Sequence, residues 1–346
     1  MANLSSGIGQ VCLHLGRELV RQQPPDWELT FLVSPEQVGL FGDSPSGGTV
    51  GYITATRWRR VWHPWKFDIW HCLYQNSRYL PVRPASLVYT IHDLNYLHLP
   101  DYSDRRKARK KAHYQRVIQQ AAAVTTISNY VAGDIRQQLA VTPDKPIDVI
   151  YWGINSPADA PGGLPPAEVG GPFLFFVGML QPYKNIHAML PILRAYPNYQ
   201  LVLAGPDKPA YREEIQRQAR NLGVEDRLVL LGIIDEATKW WLYAHCDAFL
   251  FPSLMEGFGL PVVEAMRFGK PVFSSPLTSL PEAGGSDAFY FPSFEAATVV
   301  DTFRRGMNAY RGDPAMPDRL RLHSEQFSWE AAATNYWKIY QSVLRG

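Results

Sequence analysis

Two carboxylates flank a glycine-containing turn in the second half of the sequence. They are Glu256 and Glu264, in the stretch 251–264, which reads FPSLMEGFGLPVVE. A strand is predicted before the turn and a helix from Leu260. The glycines would let the backbone approach a ligand closely, and the free N–H groups at the start of the helix would suit phosphate oxygens. Carboxylates beside such a site suit hydroxyl groups, those of a ribose for Glu264, or the developing positive charge of an oxocarbenium-like sugar. The alternative is a surface loop with two solvated acids.

A lysine and a histidine follow two other predicted strands. Lys184 comes after the apolar run 173–178, where a cation can neutralise a diphosphate and stabilise it as a leaving group. His92 ends the run 87–92, and a neutral imidazole can donate or accept a hydrogen bond. Taken alone, each has an ordinary interpretation, a solvated loop lysine and a structural histidine.

Short apolar runs alternate with helical patterns along the whole chain. The runs lack the period-two alternation of half-exposed strands, which is typical of parallel sheets covered by helices on both faces. They lie at 28–34, 68–73, 87–92, 123–128, 173–178, 200–205, 227–232, 248–251 and 271–273. The pattern predicts an α/β protein with doubly wound domains. The segment 157–172, rich in Pro, Gly and Ala, is predicted to be a linker.

Composition excludes several classes of protein. The net charge of +2 gives no global support for nucleic-acid binding. The cysteines Cys12, Cys72 and Cys246 are too scattered for a disulfide framework or a zinc site. We find no signal peptide and no apolar run long enough to span a bilayer, which predicts a cytoplasmic protein or one peripheral on the inner face of the membrane. No Asp-x-Asp pair ends a strand, so we expect no metal and no other cofactor.

The Glu-x7-Glu segment with Gly-Phe-Gly-Leu-Pro inside it resembles the signature of retaining family 4 glycosyltransferases of the GT-B architecture. Four further motifs match in the family's order, and the similarity as a whole runs from Gly7 to the last helix. They are VGMLQPYKN at 177–185, LAGP at 203–206, SLPE at 279–282 and FSWE at 327–330.

The resemblance implies two Rossmann-like domains facing a central cleft. An acceptor-side domain would cover 1–156, joined by a crossing helix at 329–346, and a nucleotide-sugar domain would cover 173–328. Glu256, His92 and Lys184 would be catalytic. The donor-binding residues would be Gly7, Gly9, Gly178, Gly205, Ile233, Gly257, Phe258, Gly259, Leu260 and Glu264. The chain departs from the family at Met179 and Tyr183, because an arginine is usual at one of these positions.

The predicted activity is metal-independent transfer of a hexose with retention of configuration. The resemblance favours mannose from GDP-mannose and a lipid-linked or surface-glycan acceptor, as in bacterial O-antigen assembly. The alternatives are a nucleotide-sugar epimerase of the same architecture and a catalytically inactive sugar-binding subunit. A nicotinamide oxidoreductase is disfavoured because Ser6-Gly7-Ile8-Gly9 lacks Gly-x-Gly-x-x-Gly.

Two segments suit contact with an anionic membrane surface or with the acceptor. The predicted helix 104–120 carries the cations Arg105, Arg106, Lys107, Arg109, Lys110 and Lys111. The segment 57–66 combines Trp58, Trp62 and Trp65 with basic residues, which suits an interface or a sugar platform. The alternatives are a solvated helix face and a loop that packs on its own domain.

The start of the sequence does not fit a doubly wound domain well. Such a domain places a central strand directly before the glycine loop and its helix, here predicted at 10–21. Only five residues precede Ser6. We therefore expect a hydrophobic first strand to be encoded upstream of Met1.

Overall fold

The computed structural model describes residues 7–60, 66–81, 85–100, 102–155 and 164–345. It contains two compact units. The amino-terminal unit comprises Met1–Gly153 and Phe327–Gly346, and the carboxyl-terminal unit comprises Ile154–Gln326. Residues 1–5, on which the expectation of a missing strand depends, lie outside the described residues.

The described residues of the amino-terminal unit form six strands and four α-helices. The strands are β1 (Glu28–Val33), β2 (Thr49–Thr54), β3 (Ile69–Cys72), β4 (Ser86–Ile91), β5 (Ala123–Thr126) and β6 (Ile147–Val149). The helices are α1 (Gly7–Arg21), α2 (Asp104–Gln120), α3 (Asn129–Gln138) and α11 (Trp329–Arg345), the last returning from the end of the chain. The sequence pattern predicted α2 correctly but missed β2 and β6, neither of which contains a fully buried residue.

The described strands of this unit form two parallel sheets, one of β1 and β2 and one in the order β3-β4-β5-β6. The predicted start of α1 at Gln10 is wrong, because the helix already includes Gly7 and Gly9. Val11, Leu15 and Leu19 share the buried face of α1, and Gly9 is also buried. Burial of that face offsets the roughly 1 kcal/mol that a helical glycine costs relative to alanine.

The carboxyl-terminal unit alternates strands and helices. Its strands are β7 (Phe173–Val177), β8 (Gln200–Ala204), β9 (Leu228–Gly232), β10 (Ala248–Phe251), β11 (Val272–Ser274) and β12 (Phe289–Tyr290). Its helices are α4 (Leu190–Ala195), α5 (Pro209–Leu222), α6 (Glu236–His245), α7 (Leu260–Arg267), α8 (Leu280–Gly284), α9 (Ala296–Gly312) and α10 (Met316–Glu325). The predicted strands were found here within a residue or two, and only the two-residue β12 was missed.

The six strands that the structure describes in the carboxyl-terminal unit form one parallel sheet in the order β12-β11-β10-β7-β8-β9. This is the Rossmann order, in which the chain winds outward in both directions from the central pair β7 and β10. Ligands of such sheets bind outside the carboxyl ends of the strands at this central pair. The predicted α/β class is confirmed. No helix in the described parts of the chain is long and apolar enough to cross a membrane.

Helix α11 packs within the amino-terminal unit, against α1 and the sheet that contains β4. Tyr336 and Trp337 lie in one buried cluster with Leu15 of α1. The apolar spacing of α11 predicts a buried face, and this cluster is what covers it.

A chain of hydrogen bonds joins α11 to the sheet beneath it. His71 Nδ1 lies 2.6 Å from the hydroxyl of Tyr340, and His71 Nε2 lies 2.8 Å from Thr90 Oγ1. Thr90 Oγ1 in turn lies 2.6 Å from Thr125 Oγ1. Burial, together with the nearby His92, lowers the pKa of His71 to about 3, so the ring is neutral at physiological pH.

Stability of the fold should fall as the pH drops below the ordinary histidine pKa. Between pH 6.5 and about 3 the unfolded chain binds a proton at His71 that the folded chain refuses, so acid favours unfolding. At pH 5 this amounts to about 1–2 kcal/mol. Denaturant unfolding at pH 7 and pH 5 should show that His71→Gln loses less stability over this interval than the parent. An equal loss in both proteins would contradict the assignment.

Candidate active site

The central pair of strands in the carboxyl-terminal unit brings two opposite charges together. Lys184 follows β7 and Glu256 follows β10, and the Lys184 ammonium forms an ion pair with Glu256 Oε1. Both side chains are largely buried, with exposed fractions of 11% and 15%. The Lys184 ammonium also lies 5.1 Å from the ring centre of Phe251. The two residues are 72 positions apart, and the strand order makes them neighbours.

Short turns fix the backbone around Lys184. The residue ends a 3-10 turn, Pro182–Lys184, and Asn185 after it adopts a left-handed conformation with φ of 54°. The Leu254 amide in the Glu256 loop donates to the Tyr183 carbonyl at 2.8 Å. The loops after β7 and β10 are therefore hydrogen-bonded to each other directly beside the ion pair. A second 3-10 turn, Ile186–Met189, lies between Asn185 and α4.

Glycines allow the strand ends beside Lys184 to approach closely. Gly178 and Gly205 end β7 and β8, with φ of 150° and 124°. A Cβ atom on Gly205 would lie 2.2 Å from the Gly178 carbonyl oxygen. Such contact with backbone excludes any side chain at Gly205. The carboxyl edge of the sheet at these two strands is therefore bare backbone, as a phosphate-binding turn requires.

Glu264 lies in the second turn of α7 and is held by two side chains that sequence reasoning missed. Lys239 of α6 donates to Oε1 at 3.2 Å, and Tyr243 donates to Oε2 at 2.8 Å. Burial lowers the pKa of Lys239, but the carboxylates of Glu264 and Glu236 outweigh it, and the pKa lies above its usual value. Both partners precede Glu264 by 21 or more positions, so only the packing of α6 against α7 could reveal them.

The other predicted donor-binding residues of this unit lie next to α7 or after β9. Gly259, with φ of 116°, caps α7 directly before Leu260. Gly257 lies one residue after Glu256, whereas the Phe258 ring is buried in the core, so only its backbone could meet a ligand. Ile233 follows β9, and 80% of it is exposed. Among the described residues, no group of three or more His, Cys, Asp or Glu side chains could hold a metal ion.

In the amino-terminal unit, His92 is buried at the end of β4. Its Nε2 lies 2.6 Å from the Leu73 carbonyl, and its ring meets Trp152 edge-on at 4.7 Å. A carbonyl can only accept, so Nε2 carries the proton and Nδ1 is left as an acceptor. Burial lowers the pKa of His92 to about 4, which keeps the ring neutral. His92 can therefore accept a hydrogen bond from a ligand hydroxyl at Nδ1.

Gln75 holds the turn that contains His92, and nothing in the sequence pattern indicated it. Its side-chain oxygen accepts from the amides of His92 and Asp93, and its nitrogen donates to the Asp93 carbonyl at 2.8 Å. Asp93 itself accepts from the Asn95 amide at 2.9 Å, which is a turn-capping contact. Gly7 and Gly9 lie on α1 rather than in the predicted loop.

The basic residues of α2 are not equivalent. The Lys110 ammonium lies 4.5 Å from the ring centre of Tyr96, and the Arg106 guanidinium lies 4.3 Å from that of Tyr102. Burial lowers the pKa of Lys110. Arg105 and Arg109 are exposed, while Lys107 and Lys111 are half-buried. Trp58 is 82% exposed. Trp62 and Trp65 lie outside the described residues.

Gly205 should tolerate no side chain, because both its backbone angle and the Gly178 carbonyl oppose a Cβ atom. Gly205→Ala should lower the free energy of unfolding by more than about 2 kcal/mol. Gly223→Ala is the matched control, since Gly223 has φ of 67° but no atom near its Cβ position. It should cost about 1 kcal/mol. Denaturant unfolding of both variants measures the difference, and equal losses would show that the close approach is unimportant.

Comparison with known sequences bears on both units. Residues 5–156 match the family model described as Glycosyltransferase Family 4, and residues 165–308 match that described as Glycosyl transferases group 1. The chain is 36% identical over 172 residues to the serotype-specific mannosyltransferase WbdA of Escherichia coli, covering 46% of this chain and 20% of that protein. The chain thus spans about a fifth of the length of this relative.

Two further similarities cover most of the chain. It is 25% identical over 277 residues to the O-antigen chain mannosyltransferase B of Escherichia coli, covering 76% of this chain and 72% of that protein. The structure of Anabaena HepE in complex with UDP and glucose matches with a TM-score of 0.74 at 16% identity, covering 99% of this chain and 97% of that one. The chain therefore belongs to the family 4 glycosyltransferases and has the GT-B architecture of two Rossmann-like domains.

Proposed function

We propose that this protein transfers a hexose from a nucleotide-sugar donor to a lipid-linked or surface-glycan acceptor with retention of configuration. Mannose from GDP-mannose is the favoured donor. The observation that carries the proposal is the Lys184–Glu256 ion pair at the central strand ends of the carboxyl-terminal sheet. It lies at the sheet edge where Gly178 and Gly205 leave the backbone bare.

The pair matches the charge separation of glycosyl transfer. As the bond between the anomeric carbon and the diphosphate breaks, negative charge grows on the leaving phosphate and positive charge on the sugar ring. Lys184 stabilises the first and Glu256 the second. Such fixed charges act most strongly on the transition state, where the separation is largest, and so they raise kcat. Together the pair is neutral, so the free site does not repel an anionic donor.

Glu264 is suited to the ribose of the donor. Its two oxygens are each fixed by one protein donor, Lys239 or Tyr243. A carboxylate oxygen accepts two hydrogen bonds, so each retains capacity for one ribose hydroxyl. In the amino-terminal unit, the acceptor nitrogen of His92 is suited to a hydroxyl of the transferred sugar.

Because the usual arginine is missing, Lys184 must neutralise a larger share of the negative charge of the diphosphate. Met179, at one of the two positions usual for the arginine, is 45% exposed and carries no charge. Tyr183, at the other, accepts a hydrogen bond on its hydroxyl from the side chain of Gln181. Loss of Lys184 is therefore expected to weaken donor binding more than loss of one cation from a complete clamp.

The mannose assignment draws on the relatives described above. Two are mannosyltransferases by name, one of them acting in O-antigen chains, while the HepE structure contains UDP and glucose. A nucleotide-sugar epimerase and an inactive sugar-binding subunit remain the competing functions. We further propose that the protein is cytoplasmic and meets the inner face of the membrane.

Glu256→Ala should lower kcat at least about 100-fold while changing the dissociation constant of the nucleoside diphosphate less than threefold, because Glu256 meets charge that exists only in the transition state. Lys184→Ala should raise the dissociation constant of the nucleoside diphosphate about 10- to 100-fold, since the diphosphate is charged in both the ground state and the transition state. Glu225→Gln, which alters a surface ion pair with Arg220, is the matched control. Transfer is measured on the purified full chain with GDP-mannose and with UDP-glucose, and the product anomer is read by NMR.

Three outcomes would contradict this proposal. An inverted anomer would remove the retaining mechanism. Donor turnover to an epimer without acceptor would favour the epimerase. Tight donor binding with neither transfer nor epimerisation, for any acceptor glycan offered, would favour the inactive subunit.

The basic residues of α2 are proposed to hold the protein at an anionic membrane surface. Replacing Arg105, Lys107, Arg109 and Lys111 with Gln should weaken binding to vesicles containing phosphatidylglycerol about a thousandfold at low salt, at about 1 kcal/mol per cation. Arg106 and Lys110 are kept because they pack on tyrosines. The control replaces four exposed arginines of the other unit, Arg217, Arg220, Arg304 and Arg305. Sedimentation equal in both variants would favour a solvated helix face.

A further inference from the structure

Left-handed backbone conformations cluster at the ion pair of the candidate site. Among the residues that the structure describes, only two that are not glycine have positive φ, Asn185 at 54° and Thr278 at 57°. Asn185 follows Lys184 in the chain. Thr278 lies in the turn between β11 and α8, where it contacts the backbone of Glu256. Each residue therefore adjoins one member of the pair.

The two conformations differ in what they cost. Asparagine adopts the left-handed region readily, because its short side chain hydrogen-bonds locally. A β-branched residue such as threonine is a genuine outlier there, since its Cβ substituents crowd the backbone. Glycine would meet the demands of this turn with less strain. Strain at a functional site points to something the strained side chain does.

The Thr278 hydroxyl uses both of its hydrogen-bonding roles. It accepts from the Glu256 amide at 3.1 Å and donates to the Leu277 carbonyl at 2.7 Å. Its donor bond fixes the orientation of the hydroxyl, which leaves a lone pair aimed at the amide. Valine has the same shape but could not make this bond, and glycine could not reach it.

Neighbouring hydroxyls hold the rest of the Glu256 loop. Ser279 Oγ is 3.0 Å from the Glu256 carbonyl and 2.9 Å from the Phe258 carbonyl. Ser275 Oγ donates to the Ser253 carbonyl at 2.5 Å. Ser279 and Ser275 thus bond carbonyl groups of the loop, whereas Thr278 bonds an amide. That amide belongs to Glu256, whose carboxylate forms the ion pair with Lys184.

We propose that Thr278 is a positioning residue that holds the Glu256 carboxylate in its place beside Lys184. It acts through the Glu256 amide and does not itself contact the substrate. The inference rests on the proposed function, in which Glu256 meets charge in the transition state. Loss of the hydroxyl would leave the donor site intact but let the carboxylate move away from the reacting carbon, which lowers kcat.

Three substitutions separate the hydroxyl from the strain. Thr278→Ser keeps the hydroxyl, Thr278→Val keeps the branched shape without it, and Thr278→Gly removes both hydroxyl and strain. We expect kcat to fall 10- to 100-fold in the Val and Gly variants, with nucleoside diphosphate affinity within threefold of the parent. The Ser variant should stay within threefold in both quantities. Thr278→Gly should melt at a higher temperature than Thr278→Val, so that the lost turnover does not follow stability.

Hydrogen exchange provides a readout that needs no turnover. The Glu256 amide should exchange at least tenfold faster in the Val and Gly variants than in the parent and the Ser variant, because its acceptor is gone. Exchange is followed by NMR on the full chain.

Failure of this inference is distinguishable from failure of the proposed function. If Glu256→Ala abolishes turnover while Thr278→Val matches the parent in turnover and exchange, Thr278 positions nothing. If Glu256→Ala has the kcat of the parent, neither the proposed role of Glu256 nor that of Thr278 is correct. Unchanged exchange of the Glu256 amide in Thr278→Val would overturn the inference even if no acceptor supports turnover.

Discussion

The carboxyl-terminal unit is organised around one contact, the ion pair between Lys184 and Glu256. Removing two charges from water is costly, and their attraction compensates only when geometry and further contacts are good. Here the order of the strands places the loops after β7 and β10 side by side, and the Leu254 amide bonds one loop to the other. A buried pair of this kind is weak evidence of stability. Under the proposed function, the two charges are placed where they would stabilise the charges that develop as the glycosidic bond breaks.

Both units hold their polar site residues by the same means, a side chain that bonds the backbone of the residue beside it. Gln75 bonds the His92–Asp93 turn in one unit, and Ser279 and Thr278 bond the Glu256 loop in the other. Such bonds fix the direction in which the side chain of the site residue leaves the main chain, and they do not occupy its side-chain polar atoms. The arrangement suits a site that must be ordered before the ligand arrives, since order present in advance lowers the cost of binding.

The amino-terminal unit depends on the end of the chain for part of its core. Tyr336 and Tyr340 of α11 join His71, Thr90 and Thr125 in a hydrogen-bonded network beneath the sheet. A buried network of this kind specifies one packing arrangement, because an unpaired polar group in the interior is expensive. Helix α11 is therefore held by directional hydrogen bonds as well as by its apolar face. A purely hydrophobic contact would leave the helix free to slide along the sheet.

The residue pattern along the chain predicted most of the strands and helices and named the candidate residues of the site. Continuous apolar runs marked most strands, the pattern of α2 marked its two ends, and the turn from Glu256 to Glu264 indicated the candidate site. These features are local, because burial along one element leaves its period in the residues themselves. Contacts between residues that are distant in the sequence depend on how the elements pack in three dimensions. Lys239 and Tyr243 at Glu264, Gln75 at His92 and Thr278 at Glu256 have no local pattern, since their contacts depend on strand order and helix packing. Packing also explains why Gly7 and Gly9 are helical. Burial of one face of α1 outweighs the preference of glycine for loops.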